Sequence, residues 1–362
     1  MLDQDFVSCL PTQALLEQPG DAFSLLFTAA YVAPEKIAVV HHGSGEVLTY
    51  SQLYSRVRAL AGAFQRLGLE KHGRVAVMLS NSVAVLDVHF AAAATRTVVV
   101  NLNTHLAAPE LAFLLRSAAP KALVLDVALA PLLMHTLSES VWGLCSSPCS
   151  LQCVAWVGGW PDSSANDSLG ALGVSSFTFE DLVSHTQEAP FSLQALPARS
   201  TDDPFMIYFT SGTTGHPKMV QLSHRVVAVH ARGTVREMRL HASDVWLHVA
   251  PMFHLVDAFA IYAVTLVAGR HVIMRSFVAA ETLRCIERER VTVTNMASTM
   301  ALLCVNSPVA ALADLTSVRM LSCGGSPLPA AAVRRALSVF GTEFCLSYGM
   351  TECWCVRVVT LC

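Results

Sequence analysis

Residues 208–220 read YFTSGTTGHPKMV. Hydroxyl side chains at Thr210, Ser211, Thr213 and Thr214 stand beside two glycines, Gly212 and Gly215, and a lysine, Lys218. Glycine lets backbone N–H groups approach a ligand closely and adopts positive φ without strain. Hydroxyls add donors, and lysine adds a compact, mobile positive charge. Together these groups suit an anion with several oxygens, above all a polyphosphate. The spacing is not that of the G-x-x-x-x-G-K-[ST] loop. The alternative is a flexible Gly/Thr surface turn. Against it, the apolar run PFMIYFT leads into the loop and reads as a buried strand. A second candidate is His254 in PMFHLVDAF (251–259). A lone histidine among apolar residues either lines a site or is a satisfied core residue.

Such a loop needs a scaffold, and the pattern around it supplies one. In LTYSQLYSRVRALAGAFQRLGL, Leu53, Val57, Leu60, Phe64 and Leu67 fall on one helical face. Thr49 and Gln52 fit a capping box, and Gly68 a C-terminal stop. RVAVML (74–79), TVVVNL (97–102) and ALVLD (122–126) read as strands with helical stretches between them. Residues 158–176, rich in Gly, Ser, Asn and Asp, read as loop. From Thr201 the alternation resumes with FMIYFT, VWLHVAP, HVIM, VTVTNM, VRMLSCGG and EFCLSYG. Alternating strands and helices predict an α/β fold with two α/β subdomains and largely parallel sheets, residues 21–200 and 201–352. Residues 353–362 stand apart as a tail.

Composition narrows the classes. Of the 362 residues, 53% are hydrophobic and 14% charged, with a formal net charge of −3, so the chain buries a large core. It shows no basic stripe for nucleic acid or an anionic membrane. The apolar stretch 83–100 is broken by Asp87, His89 and Arg96, which favours a buried helix and strand over a membrane span. The first residues lack the pattern of a secretory leader, so a cytoplasmic chain is expected, with its eleven cysteines as reduced thiols. Cys145, Cys149 and Cys153 form a cluster without the spacing of a zinc module.

The motifs, taken in order, carry a resemblance. YFTSGTTGHPK is preceded by LTYSQL and followed by CGGSPLP (323–329) and YGMTE (348–352). This set resembles that of the acyl-adenylate-forming, or AMP-binding, superfamily, which includes acyl-CoA synthetases, aryl-CoA ligases, luciferases and peptide-synthetase adenylation domains. The resemblance covers residues 21–352. It implies the fold of that family's large N-terminal domain, with the barrel subdomain and C-terminal domain largely missing. It also implies an AMP-forming acyl-CoA ligase using ATP and Mg²⁺, with coenzyme A as co-substrate. Residues 210–218 would then cradle the β- and γ-phosphates. Gly324, Gly325 and Ser326 would wall the adenine and acyl groups. Tyr348 would stack on adenine with Gly349 beside it, Thr351 would meet the α-phosphate, and Glu352 would hold magnesium. Lys218, Thr351 and Glu352 would form the catalytic set. Taken singly, Tyr348 could equally be a core aromatic and Glu352 a solvated acid.

His254 resembles the family's substrate gate. Amino-acid-activating relatives carry aspartate there, so a fatty or aromatic acid is implied. Asp257 falls near a position that is often glycine in relatives. If it lines the acyl tunnel, it disfavours a long apolar tail. Met219 replaces a commoner glycine. Beyond Glu352 the resemblance implies a ribose-binding acid, a hinge and a distal lysine that are not seen, and residues 353–362 resemble nothing in the family. The expectation is therefore an impaired ligase. The alternative is a non-catalytic nucleotide-binding remnant or splice form, pairing with a full-length relative or with itself through uncovered apolar surface. A full-length parent could be peroxisomal.

Overall fold

A computed structural model of the protein describes residues 20–138, 142, 150–184, 200–210, 217–325, 329–353 and 355–361. Twelve α-helices and fifteen strands are found among the described residues. The strands are β1 (Ile37–His42), β2 (Val47–Thr49), β3 (Arg74–Met78), β4 (Val98–Asn101), β5 (Ala122–Asp126), β6 (Cys153–Val157), β7 (Ser175–Thr178), β8 (Pro204–Thr210), β9 (Lys218–Ser223), β10 (Val245–His248), β11 (Arg270–Met274), β12 (Val293–Ala297), β13 (Met320–Gly324), β14 (Glu343–Met350) and β15 (Cys355–Leu361). They form two α/β units, each discontinuous in sequence.

The first unit comprises Ser55–Ser80 and Ala84–His224. Its sheet runs β7-β6-β5-β3-β4-β8-β9. All neighbours are parallel except the β8–β9 hairpin. Parallel strands are covered on both faces, which is why β4 and β5 are wholly buried and apolar up to their last residues, Asn101 and Asp126. The second unit comprises the described residues through Tyr54, Asn81–Val83, and the chain from Arg225 onward. Its sheet runs β15-β14-β13-β12-β10-β11-β1-β2, parallel except at the two edges, where β15 and β2 are antiparallel.

The division therefore differs from one cut near residue 200. A hairpin keeps β9 with β8, so the first sheet extends to His224, while β1 pairs with β11 through Val39↔His271. Parallel pairing takes the neighbour that the crossover supplies, whatever the sequence distance. Residues 355–361 likewise do not stand apart. As β15 they pair with β14 from Phe344↔Leu361 to Met350↔Cys355. The run VRVVTL is β-branched and suits a strand.

The expected loop at 158–176 also contains structure, the helix Ser163–Ala171 followed by β7. The Asp162 carboxylate accepts from the Ala165 N–H at 2.9 Å, and Ala165 and Leu169, one turn apart, are buried. A cap of this kind contributes about 1 kcal/mol and offsets weak Ser, Asn and Gly propensities. The expected capping box is present: the Thr49 N–H donates to Gln52 Oε1 at 2.8 Å, and the Gln52 N–H to Thr49 Oγ1 at 3.2 Å. Gly68 adopts φ +69 as the helix ends.

Charges inside the first unit are partnered. Arg56 clamps the buried Asp87, with Nη2 2.7 Å from Oδ2. Asp203, just before β8, meets Lys71 at 3.1 Å, His72 at 3.2 Å and the buried Arg96 at 3.8 Å. Burial alone pushes its carboxyl up, but the Ser200 N–H, Lys71 and His72 outweigh that and hold it at about 2. No helix among the described residues is long and apolar enough to cross a membrane.

His89 is fully buried and hydrogen-bonds Asn101 Oδ1 at 3.0 Å through Nε2. Burial lowers its pKa to about 4, less a small gain from Asn101. Below the ordinary value of 6.5 the unfolded chain binds a proton that the folded chain refuses, so stability falls with falling pH across that window. Between pH 7 and pH 5, wild type should lose roughly 2 kcal/mol more than His89→Gln in urea unfolding. Equal losses would refute the assignment.

Candidate active site

The second sheet presents the carboxyl ends of its parallel strands, the edge at which α/β sheets bind ligands. Three segments meet there. After β10, Asn81 grips the chain: its Nδ2 donates to Ala250 O at 2.9 Å, and its Oδ1 accepts from the Met252 N–H at 2.8 Å. The helix Leu255–Leu266 then begins, with the extended His254 as its N-cap residue. After β13 comes Gly325 at φ +83. β14 ends at Met350 and gives way to a short 3₁₀ turn, Thr351–Cys353.

These segments and the helix His224–Glu237 enclose a cavity of about 150 Å³ lined by His230, His254, Phe259, Gly325, Met350 and Thr351, among others. Gly349 also lies on its wall. Thus His254, Gly325, Gly349 and Thr351 come together. The His254 ring is exposed at the cavity, with the Phe253 ring 4.8 Å away. Desolvation by surrounding protein holds its pKa below the ordinary imidazole value. A neutral imidazole offers a hydrogen bond and no fixed charge.

The remaining expected residues sit elsewhere. Gly324 is buried at the end of β13, where an added Cβ would lie 2.0 Å from Ser347 Oγ and 2.8 Å from Ser347 O. Close pairing of β13 with β14 is thus enough to require glycine. Tyr348 is 76% exposed, and Glu352 is exposed on the 3₁₀ turn; neither lines the cavity. In the first unit, Thr210 and the exposed Lys218 face each other across the hairpin at the base of the loop. Met219, beside Lys218 in β9, is also exposed. Ser211, Gly212, Thr213, Thr214, Gly215 and Ser326 lie outside the described residues, as do Cys145 and Cys149. Cys153 is buried in β6. Magnesium is commonly held by one or two carboxylates plus phosphate oxygens, and the exposed Glu352 carboxylate has the chemistry for such a role.

One feature went unread in the sequence: His230, on the helix His224–Glu237 with Val227, Ala231 and Thr234, all buried, around it. The signal was an imidazole on the apolar stripe of an amphipathic helix. Asp257, weighed above as a wall of the acyl tunnel, is wholly buried and does not line the cavity. It accepts from Trp246 Nε1 at 3.1 Å and bonds His248 Nδ1 at 2.7 Å. His248 Nε2 lies 2.9 Å from His271 Nδ1, and His271 Nε2 lies 3.1 Å from Thr265 Oγ1. The two imidazoles stack 5.2 Å apart at 13°. Burial, then His248, keep the His271 pKa well below its ordinary value. Asp257 therefore imposes no polar wall on an acyl group; it has partners of its own.

The family model for the AMP-binding enzyme matches residues 26–361, and so runs into β15. The chain belongs to the AMP-binding enzyme family. Among curated relatives, the peroxisomal benzoate–CoA ligase of Arabidopsis thaliana is 28% identical over 339 residues, covering 92% of this chain and 56% of the relative. The long-chain-fatty-acid–CoA ligase FadD13 of Mycobacterium tuberculosis is 28% identical over 274 residues, covering 74% of this chain and 48% of the relative. The chain thus spans about half the length of the curated relatives it matches. The N-terminal domain of FACL13 from Mycobacterium tuberculosis superimposes with a TM-score of 0.76 at 23% identity, covering 92% of this chain and 76% of that one. That likeness shows the fold.

Proposed function

We propose that this chain acts in AMP-forming acyl-CoA ligation. A carboxylate oxygen attacks the α-phosphorus of ATP, the bond to the β-phosphate oxygen breaks, and pyrophosphate leaves. The thiol of coenzyme A then attacks the acyl carbon of the acyl-adenylate and expels AMP. The observation that carries this reading is the cavity at the carboxyl ends of β10, β13 and β14, walled by His254, Gly325, Gly349 and Thr351, in a chain of the AMP-binding family.

In this reading Lys218 and the loop it closes neutralise charge on the leaving phosphates. Gly324, Gly325 and Ser326 flank the adenine. Tyr348, an exposed ring, stacks on it, and Gly349 leaves room beside it. Thr351 meets the α-phosphate. Magnesium, bound with ATP, screens phosphate charge, and Glu352 is the carboxylate that would hold it. His254 stands where the acid's carboxylate enters. As a neutral imidazole it orients that group without trapping it in an ion pair. The acid is a fatty or aromatic carboxylic acid, in keeping with relatives named for benzoate and for long-chain fatty acids. The proposed compartment is the cytoplasm; the benzoate ligase relative is named peroxisomal.

The test is calorimetry of Mg-ATP binding together with carboxylate-dependent exchange of labelled pyrophosphate into ATP. Lys218→Ala should weaken Mg-ATP by about 10- to 100-fold, the loss of one charge-assisted contact. Binding without exchange would indicate a chain that holds nucleotide but does not turn it over. No heat at millimolar nucleotide, on folded protein, would rule out both readings.

A further inference from the structure

β10 ends at His248, and the chain then runs through residues 249–253, which belong to no strand, to His254. The helix that begins there fixes only one side of His254: the Asp257 and Ala258 N–H groups donate to its carbonyl at 3.2 and 3.0 Å. On the other side, the His254 N–H closes a turn onto Pro251 O at 3.1 Å. That turn is secured by Asn81, which is 4% exposed. The Asn81 amide spans Pro251, donating to Ala250 O at 2.9 Å and accepting from the Met252 N–H at 2.8 Å. Its Nδ2 also reaches His248 O at 3.4 Å. A parallel neighbouring strand engages a chain in the same way, through the carbonyl before and the N–H after the facing residue. Proline suits that facing position because it has no N–H to satisfy. Ala250 and Met252 are wholly buried, so neither main-chain group has water as a substitute for the amide. Two residues further on, His254 emerges at the cavity. Displacing a positioned group by about 1 Å can cost on the order of 100-fold in rate, so the entry to His254 matters as much as its ring.

We infer that Asn81 is a positioning residue: it sets the turn Pro251–His254 and so aims the His254 imidazole at the acyl end of the acyl-adenylate. The inference rests on the acyl-adenylate function proposed above. Its test is calorimetry on the full chain with two probes, AMP and 5′-O-(N-benzoylsulfamoyl)adenosine, a stable acyl-adenylate mimic. The readout is the ratio of their affinities, which isolates the acyl end. His254→Ala should lower that ratio about tenfold, the worth of one hydrogen bond. Asn81→Ala should lower it about as much. The double variant should fall no further than the larger single loss, because both changes remove the same interaction. Asn81→Ser, whose hydroxyl keeps one of the two bonds, should lie between Asn81→Ala and wild type, and carries the test if Asn81→Ala does not fold. Hydrogen exchange at the Met252 and His254 amides should be faster in both Asn81 variants, which ties the loss to the turn. Losses that multiply to about a hundredfold in the double variant would overturn the inference, as would equal weakening of both probes by the Asn81 variants. If both probes bind and their ratio is the same in every variant, this inference fails and the adenylate function stands. If neither binds folded wild type, the adenylate function fails and the inference with it.

Discussion

Asp257→Ala should lower the thermal midpoint by on the order of 10 °C, whereas Asp257→Asn should lower it by only a few degrees. The alanine leaves the Trp246 N–H and the His248 ring without their buried acceptor. Breaking a buried, hydrogen-bonded network of this kind costs about 3–5 kcal/mol. Asparagine has a different option. As a carboxylate, Asp257 only accepts, so protons run toward it: Thr265 to His271, His271 to His248, and His248 to Asp257. With asparagine, Oδ1 still accepts from Trp246 while Nδ2 donates to His248 Nδ1. His248 Nε2–H then donates to His271 Nδ1, and His271 Nε2–H to Thr265 Oγ1. Each bond of the chain from residue 257 to Thr265 is kept once both imidazoles exchange tautomers. Nitrogen NMR of ¹⁵N-labelled histidines reads that reversal directly. Equal destabilisation by the two substitutions, with unchanged tautomers, would show that the chain of bonds has no such freedom.

The second large effect is expected at Asp203. Asp203→Ala removes a carboxylate 3.8 Å from Arg96, which is 1% exposed, and takes an ion-pair partner from Lys71 and from His72. An uncompensated buried charge costs about 3–5 kcal/mol. The position matters beyond charge, because the Asp203 carbonyl accepts from the His224 N–H at 3.1 Å. That bond ties the start of β8 to the residue after β9, fixing the base of the hairpin whose far end carries Lys218. The carboxyl is depressed to about 2, so its stabilisation is present above the ordinary carboxylate value near 3.8 and is lost as pH falls toward 2. Denaturant titrations at pH 7 and pH 2.5 should therefore differ less in Asp203→Ala than in wild type, by about 2 kcal/mol. A variant as stable as wild type at pH 7 would mean that Arg96 is satisfied without Asp203.

Sequence and structure agree where a local signal repeats. The apolar runs at 74–79, 97–102 and 122–126 each become a strand, because a strand covered on both faces is apolar along most of its length. The Thr49–Gln52 cap was legible because both of its bonds lie within four residues. The helix Ser163–Ala171 was missed because its residues favour loops and its support, the Asp162 cap and two buried side chains, is tertiary in part. β15 was missed because pairing to β14 is a property of the partner edge as much as of the segment. In the candidate site, the motif residues near Gly325 and Thr351 were readable as a group. His230 and the Asp257 chain were not. Trp246, His248, Asp257, Thr265 and His271 come from two strands and a helix, with no fixed spacing to announce them. Only the register of β10 against β11, which sets Trp246 beside His271, brings them together.

The same crossing of the sequence has a consequence during synthesis. β1 gains its parallel neighbour only when Arg270–Met274 has emerged from the ribosome. At about 5–20 residues per second, that delay is on the order of tens of seconds. Through that interval the nascent strand holds only the short hairpin with β2, and its other edge, including Ala38, Val39 and Val40, stays open. Nascent chains halted before Arg270–Met274 has emerged should therefore recruit holding chaperones at Ile37–His42, and those halted once it has emerged should release them.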